Sequence, residues 1–375
     1  MLRHLGESGM RDGTAAPHRG TVGVMKNRPS VCSIVPPHIV DALAQADDPE
    51  LRQIGQHTRE LDRRHREQRL RAPLGVAPAA PPAGGEQPNR TLFDARQGTD
   101  LPGDRVRGEQ DPPTDDQAAN QAYDNLGTTF TFYYEVFQRR SIDNAGLPLD
   151  ASVHYSRNYN NALWNSQQMV FGDGDGRRLH NFTGSLVVIA HELTHGVTQY
   201  SGGLQYQGQS GALNESISDV FGSLAQQYTL RQSAVDADWL IGAGVLCPGI
   251  KGVALRSMKA PGTAYDDPLL GGKDPQPAVM ADYVDTELDN GGVHINSGIP
   301  NYAFYLVAQA LGGFAWEKAG PIWYQTLTAG TLPSDADFAT FARATIEAAH
   351  ALYGAGAEED AVRKAWGQVG VNSNG

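Results

Sequence analysis
The sequence predicts an α+β protein, a β-rich stretch followed by a mainly helical one, with a short separate segment ahead of both. Three observations carry this. Between Arg90 and Gly184, short aromatic and β-branched runs such as TTFTFYYEVF and QQMVF alternate with Asn, Asp and Gly clusters, as strands alternate with turns. From Ser185 onward, Leu186, Ile189, Leu193 and Val197 fall at helical spacing, and helix-like stretches recur near 212–230, 296–311 and 336–353. Before Arg90, the tract APLGVAPAAPPAGGEQPN has nothing to pack into a core and reads as a linker.

Taken in order, residues 1–24 are polar, glycine-bearing and aperiodic, and are expected to be a disordered or non-native leader, with translation starting at Met25. Next comes CSIVPPHIVDALAQ, in which Pro-Pro disfavours helix and suggests an extended stretch. RELDRRHREQRLRA is an Arg-rich helix candidate whose charges read as a solvated face. GDGDG at 172–176 reads as a tight turn, since Asp173 and Asp175 lack the remaining ligands of a calcium loop.

At 375 residues and 40% hydrophobic content, the chain can bury a sizeable core. Its net charge of -12 is uneven. Residues 1–90 hold 13 Lys/Arg against 10 Asp/Glu, and residues 91–375 hold 17 against 32, so the acidic body argues against a nucleic-acid partner. Cys32 and Cys247 are too few and too far apart for a disulfide framework or a thiol metal site. No apolar run reaches the roughly 18 residues of a membrane span, and no signal-peptide apolar region is visible, so synthesis in the cytoplasm is expected, with export by a non-classical route left open.

The chemistry centres on HELTH, residues 191–195. On a helix, His191 and His195 stand one turn apart on one face, so that two imidazoles can share one zinc, while Leu193 and Val197 bury the other side. A third ligand is needed. One known continuation places Gly three and His six residues after the second His, but Thr198 and Ser201 occupy those places. The other takes a glutamate from a following helix. SGALNESISDVFGSLAQQY carries Glu215 and Asp219 four apart, and YSGGLQYQGQSG supplies a glycine-rich turn to fold that helix back. Asp219 is spaced to hold the second ring nitrogen of a liganding His.

With these residues in place, the chain resembles the thermolysin family of zinc metallopeptidases. The likeness runs from about Arg90 to Val371 and rests on NNALWN, HELTHGVTQ, SGALNESISD, LRSM and DNGGVHINSG. It implies a two-lobed fold, with a β-rich lobe over 89–200 ending in the zinc helix, a helical lobe over 201–375, and the active-site cleft between them. It implies zinc on His191, His195 and Glu215, and hydrolysis of peptide bonds by a water that Glu192 activates. Tyr206 and His294 fall at the oxyanion-stabilising positions, Asp289 orients His294, and Asp219 supports His191. Asn161 and the backbone of Ala162 match binders of the substrate main chain, and Arg256 matches the arginine that grips the carbonyl after the cut. Leu179, Phe182, Val188, Ile241, Val245 and Leu255 match the pocket beyond the cut, and all six being apolar implies cleavage before large apolar residues. Singly, Tyr206, Arg256 and His294 each have an ordinary packing or ion-pair reading; their joint order favours the catalytic one. Tyr200 and Tyr228 match no role and read as packing residues.

Two departures from the family matter. The positions of its double calcium site carry Val187, Gln226, Leu240 and Ala243, with only Asp238 retained, so calcium there is expected to be absent. The long propeptide is missing, and the region after Met25 resembles the short one of the protealysin-like subgroup, which points to a bacterial source. Residues 25–88 are thus expected to be an inhibitory propeptide plus linker, with the Pro-Pro stretch plugging the cleft and Cys32 as a transient fourth zinc ligand the weaker alternative. The expected partners are peptide or protein substrates and the chain's own propeptide, on a monomer. The rival functions are a catalytically silent zinc-binding protein of the same fold and a zinc hydrolase of small amides.

Overall fold
The computed structural model describes residues 32–71 and 86–372, with no account of the side chains of 68–71. The leader expected at 1–24 and most of the Pro/Ala/Gly linker lie outside these residues. The α+β architecture is as the sequence predicts.

The front segment contributes a two-residue strand, β1 (Cys32–Ser33), then helices α1 (Pro37–Ala44) and α2 (Pro49–Arg71). The expected extended stretch is shorter than the Pro-Pro signal suggests. It ends at Pro36, which sits at the N-cap with φ -61° and ψ 147°, and Pro37 opens α1, a position where a missing N–H costs nothing. The two helices cross in close contact because Gly55 carries no side chain: a Cβ there would lie 2.3 Å from the Ala44 nitrogen.

The β-rich lobe contains β2 (Arg90–Asp94), β3 (Asp104–Gly108), helix α3 (Gln117–Phe137), β4 (Leu149–Val153), β5 (Ala162–Trp164) and β6 (Met169–Phe171). The six-stranded sheet has the order β1-β5-β6-β4-β2-β3, so the front segment adds a strand to the sheet edge at β5. One expectation fails here. TTFTFYYEVF, read as a strand, is the C-terminal half of α3. Asp116 caps that helix by accepting from the Ala118 and Ala119 nitrogens, and Ala119, Ala122, Tyr123, Leu126, Phe130 and Tyr133 form its buried stripe at helical spacing. Packing against the helix that carries His191 and His195 overrides the β-propensity of the Thr and aromatic residues.

The chain then turns helical: α4 (Leu186–Tyr200), α5 (Gly208–Leu230), a short ribbon of β7 (Leu240–Ile241) with β8 (Arg256–Ser257), and helices α6 (Asp289–Asn296), α7 (Gly298–Leu311), α8 (Ala319–Thr328), α9 (Phe338–Tyr353) and α10 (Ala357–Gln368). One apolar core runs from Ile34 and Leu92 through α4 and α5 to Trp366. That continuity fixes the lobes and the front segment relative to one another. No described helix is long and apolar enough to cross a membrane.

Candidate metal centre and cleft
Ser185 starts α4 by accepting a bond from the Val188 nitrogen, and the helix places His191 and His195 one turn apart, both buried. The glycine-rich turn, with Gly203 at φ +61° and Gly208 at φ +53°, reverses the chain into α5. At the crossing, a Cβ on Gly222 would lie 2.9 Å from the Val187 carbonyl oxygen, so glycine here permits the approach that brings Glu215 to the two imidazoles.

The His191 and His195 Nε2 atoms are 3.0 Å apart, with Glu215 Oε2 3.6 Å from the first and Oε1 3.4 Å from the second. The other ring nitrogens are occupied. His191 Nδ1 bonds Asp219 Oδ1 at 2.8 Å, and His195 Nδ1 bonds Asn214 Oδ1 at 2.8 Å with Ser218 Oγ at 3.1 Å. Carboxylate and amide oxygens only accept, which assigns the proton to Nδ1 of each ring and turns both Nε2 lone pairs toward each other and toward a carboxylate. Electron-rich atoms so close in a buried site call for a cation among them. Glu215 Oε2, buried and without a hydrogen-bond partner, says the same. Two imidazoles and a carboxylate suit zinc with a position left open.

Glu192 points from α4 toward β5, where its Oε2 accepts from the Trp164 nitrogen at 2.9 Å. Its Oε1 has no hydrogen-bond partner. Burial raises its pKa well above the ordinary glutamate value, and the neighbouring Glu215 charge adds to the rise. Asp219 carries a second duty beyond His191. Arg256 donates to it twice, each at 2.9 Å, and Asn301 Nδ2 once at 2.8 Å. Burial opposes the Asp219 charge, but Arg256 and His191 outweigh it and hold the carboxyl below its usual range.

The DNGG turn places His294. Asn290, Gly291 and Gly292 all have positive φ, and this left-handed turn brings Asp289 Oδ1 to His294 Nδ1 at 2.7 Å and Oδ2 to the His294 nitrogen at 2.8 Å. Burial works against a charged His294, yet Asp289 and Glu215 prevail and raise its pKa to about 9. The Tyr206 hydroxyl donates to Glu215 Oε1 and lies 3.3 Å from His294 Nε2. Leu179, Phe182, Val188, Ile241, Val245 and Leu255 are all buried in the continuous core. The β7–β8 pairing sets Ile241 opposite Arg256.

Across the cleft runs the front segment, β1 pairing antiparallel with β5. The Ser33 carbonyl accepts from His294 Nε2 at 2.9 Å, the Ile34 carbonyl from Arg256 Nη1 at 2.9 Å, and the Ile34 nitrogen donates to the Ala162 carbonyl at 3.2 Å. Val35 donates to Asn161 Oδ1 at 3.0 Å and accepts from its Nδ2 at 3.4 Å. Helix α2 covers the rim. Buried Asp62 accepts from Tyr159 and, at 3.1 Å, from Asn161, and His65 meets the Tyr155 hydroxyl at 2.9 Å. The Arg-rich helix is therefore two-faced, with Arg63 and Arg64 exposed and Leu61, Asp62 and His65 buried.

Hydrogen bonds and close contacts thus join His191, Glu192, His195, Tyr206, Glu215, Asp219, Arg256, Asp289, His294, Asn161 and Ala162, directly or through residues 33–35 and 164, while the six apolar candidates lie in the shared core. Sequence reasoning missed Asn214, Trp164, Asn301 and Asp62. Only Asn214, directly before Glu215, carried a local signal, being one helical turn from Ser218. The others act through main-chain groups or across distant elements.

A β-rich lobe and a helical lobe meeting at a His-Glu-x-x-His helix, completed by a glutamate from the next helix, define a metalloendopeptidase. The chain belongs to the thermolysin family of metallopeptidases, which implies zinc. Residues 86–199 match the thermolysin metallopeptidase catalytic domain and residues 202–371 its alpha-helical domain. It is 52% identical over 351 residues to an extracellular metalloprotease of Pectobacterium carotovorum subsp. carotovorum, covering 92% of this chain and 98% of the relative. With thermolysin of Alicyclobacillus acidocaldarius subsp. acidocaldarius it shares 40% over 289 residues, 74% of this chain and 50% of that protein. The solved precursor of protealysin, a metalloproteinase from Serratia proteamaculans, superposes with a TM-score of 0.83 at 51% identity over 91% of this chain and 100% of that one. The protealysin-like subgroup read from the sequence is thereby supported.

Proposed function
We propose that this chain is a zinc endopeptidase made in latent form, which cuts peptide bonds on the N-terminal side of large apolar residues. The convergence of His191, His195 and Glu215, with Glu192 beside them, carries the reading. Zinc bound by those three residues supplies a Lewis acid that polarises the substrate carbonyl. Glu192 takes a proton from the attacking water and delivers it to the departing nitrogen. His294, held by Asp289, and Tyr206 donate hydrogen bonds to the oxygen that gains charge. Asn161, the Ala162 backbone and Arg256 align the substrate main chain, and Asp219 keeps both His191 and Arg256 in place.

The expected effect on specificity is large. In a peptide series differing only at the residue after the cut, Leu should give a kcat/KM roughly 100-fold above Asp, because an unpaired carboxylate in this pocket costs about 3 kcal/mol or more. Steady-state rates on the two peptides check this, and equal rates would contradict it.

Residues 25–88 act in this reading as an inhibitory propeptide and linker. Support comes from the occupation of Asn161, Ala162, Arg256 and His294 by residues 33–35. An extended peptide bound through its backbone also favours peptides over small amides as substrates. We further propose that the double calcium site is absent, its positions being Val187, Gln226, Leu240 and Ala243. A calcium-selective chelator should therefore leave the melting temperature of the zinc-loaded chain unchanged. A fall of several degrees would show that calcium binds.

A further inference from the structure
Residues 32–35 do more than fill the cleft. If the Proposed function holds, four contacts define where a reacting bond must lie: a carbonyl facing the oxyanion donor, a nitrogen at the general base, the next carbonyl on the arginine, and an apolar side chain in the pocket. Ser33 and Ile34 supply all four. The Ser33 carbonyl faces His294 Nε2, the Ile34 nitrogen donates to the Ala162 carbonyl and lies near enough to Glu192 to favour its charged form, the Ile34 carbonyl is held by Arg256, and the Ile34 side chain is fully buried in the core that contains the pocket residues. The segment lies in substrate register. What must then be explained is how such a bond survives.

The residue before it answers this. Cys32 is buried and packs against Tyr206 and Val293, and its sulfur, a His195 nitrogen and a Glu215 oxygen lie within 4.8 Å of one another. Ligand atoms sharing one zinc stand roughly 3–4 Å apart, given bond lengths of about 2.0–2.3 Å. The Glu215 Oε2 and Glu192 Oε1 atoms are both buried without hydrogen-bond partners. We propose that Ser33–Ile34 is bound as a scissile bond and that Cys32, ligating the metal through its thiolate, keeps it uncut by occupying the place of the attacking water.

Removing the sulfur then permits hydrolysis of this bond. The water oxygen bonds to the Ser33 carbonyl carbon, the carbon–nitrogen bond to Ile34 breaks, and both water protons end on the Ile34 nitrogen, leaving a Ser33 carboxylate and an Ile34 ammonium. Glu192 carries the proton between them.

Two measurements on the full chain test this. First, E192Q and C32S/E192Q chains are loaded with cobalt(II) in place of zinc and their near-ultraviolet spectra compared. A thiolate-to-cobalt absorption band present in E192Q and lost in C32S/E192Q is expected. Its absence from E192Q overturns the ligand assignment, whatever the folding of the serine variant. Second, zinc-loaded wild-type, C32S and C32S/E192Q chains are incubated and their N-termini mapped by mass spectrometry. A product beginning at Ile34 from C32S alone is expected. The same product from wild type at the same rate overturns the guarding role. A C32S chain that cuts an added denatured protein but leaves Ser33–Ile34 intact overturns the register while sparing the peptidase assignment. Absence of any Glu192-dependent cut, even after the propeptide is removed, defeats the peptidase assignment itself.

Discussion

Replacing Glu192 with Gln is expected to lower kcat/KM of the activated enzyme by roughly 10²–10⁴-fold, the span of a lost general acid–base step, with one zinc per chain retained. The substitution keeps the shape of the side chain and an oxygen to accept from the Trp164 nitrogen, so the local fold has no reason to change. What disappears is the group that can take a proton from water and give it to the leaving nitrogen. Burial beside Glu215 raises the pKa of Glu192, and a carboxylate of raised pKa is a better proton acceptor than an ordinary one. Peptide kinetics with metal analysis on the same sample check the claim. Retained activity would remove Glu192 from the mechanism, and lost zinc would mean that the substitution disturbs the metal centre instead.

Replacing Asp219 with Ala should act on stability and metal together. Asp219 accepts two bonds from Arg256, one from Asn301 and one from His191, all buried. Its loss strands the Arg256 guanidinium, for which the cost is about 3–5 kcal/mol. It also frees the His191 ring to rotate and to change tautomer, weakening zinc binding roughly 10–100-fold. Denaturant unfolding of the zinc-loaded variant, with competition against a zinc chelator, reads the two effects separately. An unchanged unfolding midpoint would contradict the account of Asp219 as the hub between metal ligand and substrate-gripping arginine.

The metal centre was legible in the sequence because its geometry is helical and local. His191, Glu192 and His195 sit within one turn and a half, and Glu215 with Asp219 repeats the spacing on the next helix. The Asp289–His294 pair was legible only through the family resemblance, although the two residues sit within one short turn. The groups that hold these residues in place were not legible. Trp164 acts through its backbone nitrogen, which no side-chain pattern announces, while Asp62 reaches Asn161 from a helix 99 residues away in sequence. The same limit explains α3. TTFTFYYEVF has β-forming residues, but on the helix Tyr133 meets Thr194 of α4 through its hydroxyl, and Phe132, Tyr133 and Phe137 pack against Tyr228 and Phe221 of α5, a tertiary fact that local propensity does not carry. The glycine at 55 reads in sequence as a weak point in a helix, whereas in the fold it is the contact that lets α1 and α2 cross.

The measurement that tests the central claim most directly is a map of the cuts that the zinc-loaded chain, freed of residues 25–88, makes in a denatured protein mixture, with the Glu192→Gln chain as the blank. Cuts before Leu, Phe and Ile that vanish in the blank are predicted. A chain that holds one zinc yet makes no Glu192-dependent cut would contradict the assignment and leave a zinc-binding protein without peptidase chemistry.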